Sequence, residues 1–294
     1  MTPLDLAPGV YPGISSADYH TLPYCSNSRL TLLKRSPAHL LADLTSPPEQ
    51  TPAMKLGTAI HSAVLEPHDF ARRYTVAFQC DALKKDRTRC TNSGTHRVRG
   101  EWRCGVHPAD GERDVLEVLT AADFAVCEGV AAAVRRHPRI GKLLAGDGEN
   151  ELTVVWDDPA TGVRCKARID RLKRGFGGIL VDLKSTTDAR ADAFERKAFE
   201  MGYYRQAGFY QDALRAHGIE TGHMVIVAVE KEPPFAVAGY RLAESAADAG
   251  REELRGLLAR YAECQERGEW PGYTTDITEL SLPAYAWRSM EIAA

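Results

Sequence analysis

The chain has 294 residues, 44 % hydrophobic and 26 % charged, with a formal net charge of −3. That length and balance suit an ordinary globular protein able to bury a core without staples, and exclude a globally basic nucleic-acid coat or a disordered chain. No apolar run approaches the roughly 18–20 residues that cross a bilayer, and the opening "MTPLDLAPGVYPGISS" lacks the basic and apolar regions of a secretory leader, so a cytoplasmic protein is expected.

In chain order, "SNSRLTLLKRSPAHLLADL" carries apolar residues at helical spacing behind a Ser/Asn cap, with a break or new start at Ser36-Pro37. A polar Pro-rich linker, "TSPPEQTP", follows. "AMKLGTAIHSAVLEP" predicts a helix stopped by Pro67, with Leu56, Ile60, Ala63 and Val64 as its apolar stripe and Gly57 and His61 sharing one face. Residues 80–107 interrupt this pattern as a polar, basic insertion without periodicity. Helix is expected again over "DVLEVLTAADFAVCEGVAAAVRRHPRIGKLL". Three strands joined by tight turns come next, "ELTVVWDD", "VRCKARIDRLKR" and "ILVDLKST". A long helix over "AFERKAFEMGYYRQAGFYQDALRAHG", strands at "HMVIVAVEK" and "AVAGYRLA", and a last long helix, "SAADAGREELRGLLARYAECQERG", complete the order. Helices, a meander, then alternating helix and strand give an α/β fold with a mixed sheet flanked by helices.

The chemistry concentrates in the middle strands. Period-two alternation puts Asp182 and Lys184 on one side of an otherwise apolar strand. If the two strands pair as a hairpin about "KRGFGG", Asp170 and Asp182 meet at its open end. Two crowded carboxylates repel unless a cation or proton intervenes, and hard oxygen ligands select Mg²⁺ or Mn²⁺. Lys184 would then counter charge on a phosphate. An Asp followed after a hairpin by Asp-x-Lys is the pattern of PD-(D/E)XK nucleases, although D-x-K by itself is a weak signal.

Four stretches carry a wider resemblance: "GVYPGISSADYHTLPYCSNSRLTLLKRSPAHL", "GTAIHSAVLEP", "ELTVVWDDPATGVRCKARIDRL" with "ILVDLKST", and "YYRQAGFYQDAL". Together, and in this order, they resemble RecE-type exonucleases (exodeoxyribonuclease VIII-like) of the RecB-like branch of the PD-(D/E)XK superfamily. The resemblance implies one restriction-endonuclease-like domain over residues 1–294. It also implies a metal-dependent 5′-to-3′ exonuclease of phage or prophage recombination that acts on duplex DNA ends, a single-strand annealing protein as partner, and a homo-oligomeric ring. Asp170, Asp182, the Leu183 carbonyl and His61 would hold Mg²⁺ or Mn²⁺, with Glu151 at a matching acidic position. Lys184, Gln206 and Tyr210 would complete the catalytic set. Each has a plainer reading too: His61 as a core histidine, Glu151 as an acid near a helix end, Gln206 and Tyr210 as helix-packing residues. A single-strand exonuclease, an endonuclease or a non-catalytic DNA-binding module of the same fold stays open. Arg29, Lys34 and Arg35 are candidate DNA contacts.

Residues 80–107 read C-x9-C-x13-C-x2-H, from Cys80, Cys90, Cys104 and His107. Three thiolates and an imidazole make a tetrahedral structural Zn²⁺ set, and the stretch resembles short zinc modules of phage and bacterial proteins. A polar segment of this size needs a metal to fold. It carries seven Lys/Arg, among them Lys84, Lys85 and Arg87, against three acids, which suggests DNA phosphates or a neighbouring subunit as a target. The cysteines precede the core strands, unlike those of iron–sulfur nucleases of the RecB-like branch, so a cluster is not expected.

Overall fold

A computed structural model describes residues 4–46, 49–76, 78, 80–92, 94, 96–107, 117–175, 177–283 and 286–287. Linker residues 47–48, the expected helix start at 114–116 and turn residue 176 lie outside them.

A short strand β1 (Gly9–Tyr11) and helices α1 (Ser16–Thr21), α2 (Asn27–Arg35) and α3 (Pro37–Thr45) open the chain. Ser36 closes α2 and starts α3, its hydroxyl accepting from the His39 amide while Pro37 fills the first helical position. Helix α4 (Pro52–Leu65) is capped by Thr51 in the same way. Pro67 does more than stop it: Pro67 begins a second short helix, α5 (Pro67–Arg73), because proline at a first turn forfeits no hydrogen bond.

Small strands follow: β2 (Tyr74–Val76), β3 (His96–Val98), β4 (Glu101–Arg103) and β5 (Glu117–Leu119). β2 pairs in parallel with β5 and β3 antiparallel with β4. The insertion therefore holds a hairpin where periodicity predicted no element, and residues 117–119, expected as helix, are strand. Helix α6 (Ala121–Arg136) starts only at its Thr120 cap.

After α7 (Ile140–Leu144) come β6 (Gly148–Asp157), β7 (Arg164–Lys173) and β8 (Ile179–Thr186), then α8 (Ala191–Glu200), α9 (Tyr203–Arg215), β9 (His223–Glu230), β10 (Val237–Arg241) and α10 (Glu244–Arg267). The single helix expected over 193–218 is two, because Gly202 takes a left-handed φ of 69° that turns the chain before α9.

The described strands form a six-stranded sheet in the order β1-β6-β7-β8-β9-β10, antiparallel except for the parallel β8–β9 pair. Alternation along β8 sorts its side chains onto two cores: Leu180 joins α2, α3, α9 and α10 on one face, whereas Val181 and Leu183 join α4, α5, α6 and α7 on the other. No described helix is long and apolar enough to cross a membrane.

Candidate active site

Register places the acids. Strands β6 and β7 pair Asn150 with Arg171 and Leu152 with Ile169, so Glu151 stands opposite Asp170. The β7–β8 ladder pairs Arg171 with Val181 and stops there, leaving Asp170 opposite Asp182 where the strands part. Three acids thus lie in one row across three adjacent strands. Glu151 is held at a φ of 51°, a conformation costly for a non-glycine residue and found where a site dictates the backbone.

Helices from both faces converge on this row. From α4, His61 Nδ1 comes to 3.5 Å from Asp170 Oδ2, and its ligand atom, with those of Glu151 and Asp170, falls in a group no more than 4.8 Å across. An octahedral Mg²⁺ with bonds of about 2.1 Å spaces adjacent ligands by about 3 Å and opposite ones by about 4.2 Å, so small shifts would close this set on an ion. Leu183 bonds the row through its backbone: its N–H donates to Asp170 Oδ2 at 2.7 Å, and its backbone also hydrogen-bonds His61. From α9, Gln206 Nε2 donates to Asp182 Oδ1 at 3.1 Å and to the Tyr210 hydroxyl at 2.7 Å. Lys184 Nζ lies 2.7 Å from Asp182 Oδ2 and 4.8 Å from the centroid of the Tyr203 ring.

Electrostatics marks the row as short of positive charge. Burial, reinforced by Asp182, pushes the Asp170 carboxyl up to about 7, and burial with Asp170 beside it does the same to Glu151. Burial pulls His61 down, leaving it a neutral imidazole fit to ligate. Burial also opposes the charge on Lys184, but Asp182 and Asp170 outweigh it and hold the ammonium above the ordinary lysine value. Asp182 is 1 % exposed and its Oδ2 is met by the Lys184 ammonium, whereas Glu151 and Asp170 lie beside the neutral His61 and face the cleft. The donor set therefore fits a hard divalent ion.

The expected site residues thus come together, with one difference in emphasis. The tightest ligand cluster is His61, Glu151 and Asp170, whereas Asp182 turns toward Lys184 and Gln206. Two supporting residues escaped the sequence reading. Arg168 donates to Glu151 Oε2 at 2.5 Å and to the Ile14 carbonyl at 2.6 Å; its position two before Asp170, on the same strand face, was the available signal. Asn150 donates to the Leu65 carbonyl at 2.6 Å and accepts from Arg171, tying the end of α4 to the sheet. A cleft of 680 Å³ opens over Glu151 and Asp170, lined also by Gly13–Ser16, Gly57, Thr58 and His61.

A model of the "PDDEXK-like domain of unknown function (DUF3799)" matches residues 26–281. The chain belongs to this family. The crystal structure of a "putative exonuclease" from Eubacterium rectale aligns with a TM-score of 0.56 at 14 % identity, over 93 % of this chain and 97 % of that one, which shows a shared fold. The crystal structure of SSO0001 aligns over 37 % of this chain and 50 % of its own at 15 % identity, with a TM-score of 0.25 that carries no argument. No curated protein matches. The PDDEXK-like description agrees with the mixed sheet between helices.

The other candidates lie apart. Arg29 donates to the Tyr24 carbonyl at 2.5 Å, Lys34 pairs with Glu253 at 2.7 Å, and Arg35 donates to the Tyr273 hydroxyl at 3.0 Å, so each is engaged within the chain. Lys84, Lys85 and Arg87 stand exposed on a tight turn closed by the Leu83–Arg89 bridge. Behind that turn, Cys80, Cys90 and Cys104 are buried together with His107 at their side. Cys90 Sγ lies 3.9 Å from Cys104 Sγ, which lies 3.4 Å from His107 Nδ1. A tetrahedral Zn²⁺ with bonds of about 2.3 Å to sulfur and about 2.05 Å to nitrogen requires about 3.8 Å and about 3.5 Å for those two edges, so the residues fit the ion. Burial resists ionisation of Cys104, but hydrogen bonds from His107 and the Val106 and His107 amides prevail and bring it down to about 6.

Proposed function

We propose that this chain is a divalent-metal-dependent deoxyribonuclease of the RecE-like kind, a 5′-to-3′ exonuclease working from duplex DNA ends in phage recombination. The observation that carries the reading is the row Glu151–Asp170–Asp182 at the strand ends, with His61 from one helical layer and Lys184 beside it. His61, Glu151, Asp170 and the Leu183 backbone would hold Mg²⁺ or Mn²⁺, which when bound supplies charge neutralisation and water activation at the scissile phosphate.

The protein's own groups do the rest. Lys184 stays protonated at neutral pH and counters the charge that grows on the phosphate oxygens. Asp182 anchors Lys184, and Gln206, braced by Tyr210, fixes the Asp182 rotamer. Arg168 clamps Glu151 in its unusual backbone conformation. The insertion is a zinc-stapled module whose exposed Lys84, Lys85 and Arg87 meet DNA phosphates without reading sequence. A single-strand annealing protein and a homo-oligomeric ring are the partners this reading expects.

The test is hydrolysis of 5′-labelled and 3′-labelled duplex, single strands and closed circles, with and without Mg²⁺. Mononucleotide release from 5′ ends of duplex supports the full reading. Release from single strands or cutting of circles moves the assignment to another nuclease of the same chemistry. Undiminished degradation by Asp182→Asn would remove the catalytic assignment.

A further inference from the structure

Gly57 has no structural reason to be glycine. It sits inside the 14-residue helix α4, where glycine is the poorest residue short of proline. It does not have the positive φ that demands glycine elsewhere in the chain, and a Cβ built on it would meet nothing within 4 Å. By contrast, Gly129, Gly208, Gly239 and Gly250 are closely packed, their Cβ positions meeting neighbours at 2.3–2.9 Å. Yet Gly57 lines the cleft, one helical turn from His61 and on the same face. Gly13 also lines the cleft, but there a left-handed φ of 83° already favours glycine.

We propose that Gly57 is a clearance position: the sugar-phosphate backbone of the bound strand lies against the naked turn of α4, and the absent side chain sets how closely it reaches the acid row. The proposal rests on the reading of the cleft as a nucleic-acid site and adds the residue that admits the strand. Gly57 is a positioning residue with no part in the chemistry. Its sign separates it from a structural role, since alanine here should stabilise the helix while obstructing the ligand. Gly256, in α10, supplies the control: it is also helical with an empty Cβ position, but it is exposed and does not line the cleft over the acids.

The experiment measures thermal midpoints and the binding of a fluorescein-labelled DNA duplex by anisotropy in Ca²⁺ without Mg²⁺, for the intact chain and three variants. Gly57→Ala should raise the midpoint and weaken binding two- to threefold, and Gly57→Leu should weaken it tenfold or more. Gly256→Ala should raise the midpoint and leave binding unchanged. Gly57→Leu binding within twofold of the unaltered chain overturns the proposal, as does equal weakening by Gly256→Ala. If the unaltered chain binds duplex and the Gly57 series behaves as stated but Mg²⁺ elicits no hydrolysis, the nuclease reading falls and the clearance stands. A chain that binds no DNA sinks both.

Discussion

Lys184→Met tests the electrostatic core of the site most directly. Lys184 Nζ lies 2.7 Å from the carboxylate of Asp182, which is 1 % exposed. At an effective dielectric constant of about 20, that separation corresponds to an attraction of about 6 kcal/mol, offset in large part by the desolvation of both ions. Removing the lysine alone strands a buried carboxylate, with Gln206 as its remaining side-chain donor, and breaking such a pair costs about 3–5 kcal/mol. Methionine fills most of the lysine volume, so the loss should come from charge and little from packing. Urea unfolding without added Mg²⁺ or chelator should show the full loss for Lys184→Met. Adding Asp182→Asn to it should recover about 2 kcal/mol or more, because the stranded charge is gone. Mg²⁺ should also recover part of the loss in the single variant by supplying positive charge to the same acids. A loss below about 1 kcal/mol, or a double variant that is simply the sum of the singles, would falsify the picture of Lys184 as the countercharge of a buried acid row.

His61→Ala and Glu151→Gln should each lower Mg²⁺-dependent DNA hydrolysis by about a hundredfold or more while leaving circular dichroism unchanged; activity within fivefold would remove them from the metal set. Metal analysis of protein purified without added metal should return about one zinc per chain, with Cys104→Ser losing it and unfolding the insertion first; no zinc would refute the tetrahedral site. Replacing Lys84, Lys85 and Arg87 together by alanine should reduce the slope of log K against log salt for duplex binding by about 2–3, and an unchanged slope would detach the module from DNA. Glu253 offers a pH test. Burial would raise its carboxyl, but Lys34, Tyr204 and Arg205 prevail and hold it down at about 2, against an ordinary 4.5. Its contribution is therefore present above the ordinary value and lost as pH falls through about 2, so Glu253→Gln should cost about 1–3 kcal/mol at pH 7 and progressively less as pH falls below the ordinary value. A pH-independent difference would rule out the ionised pair.

The sequence by itself determined the elements and the chemistry that short-range rules control. Alternation and turn residues delimited the meander and put Asp182 and Lys184 on one face of β8, and Cys80, Cys90, Cys104 and His107 could be named as a candidate metal set. Proline and serine at 36–37 marked the helix junction because caps and fixed φ act within one turn. Much of what it left open depends on partners distant along the chain. The break at Gly202 comes from one left-handed residue, and strand β5 and the β3–β4 hairpin come from pairing, none of which periodicity registers. The site itself is of the same kind. Only register across β6, β7 and β8 aligns Glu151 with Asp170 and Asp182, and only the two helical layers bring His61, 109 positions before Asp170, and Gln206, 24 after Asp182, to the same strand ends. A residue's type announces which chemistry it can perform, but burial and neighbouring charge, both tertiary quantities, decide whether Asp170 is an ordinary carboxylate or one pushed up to about 7 and waiting for a cation.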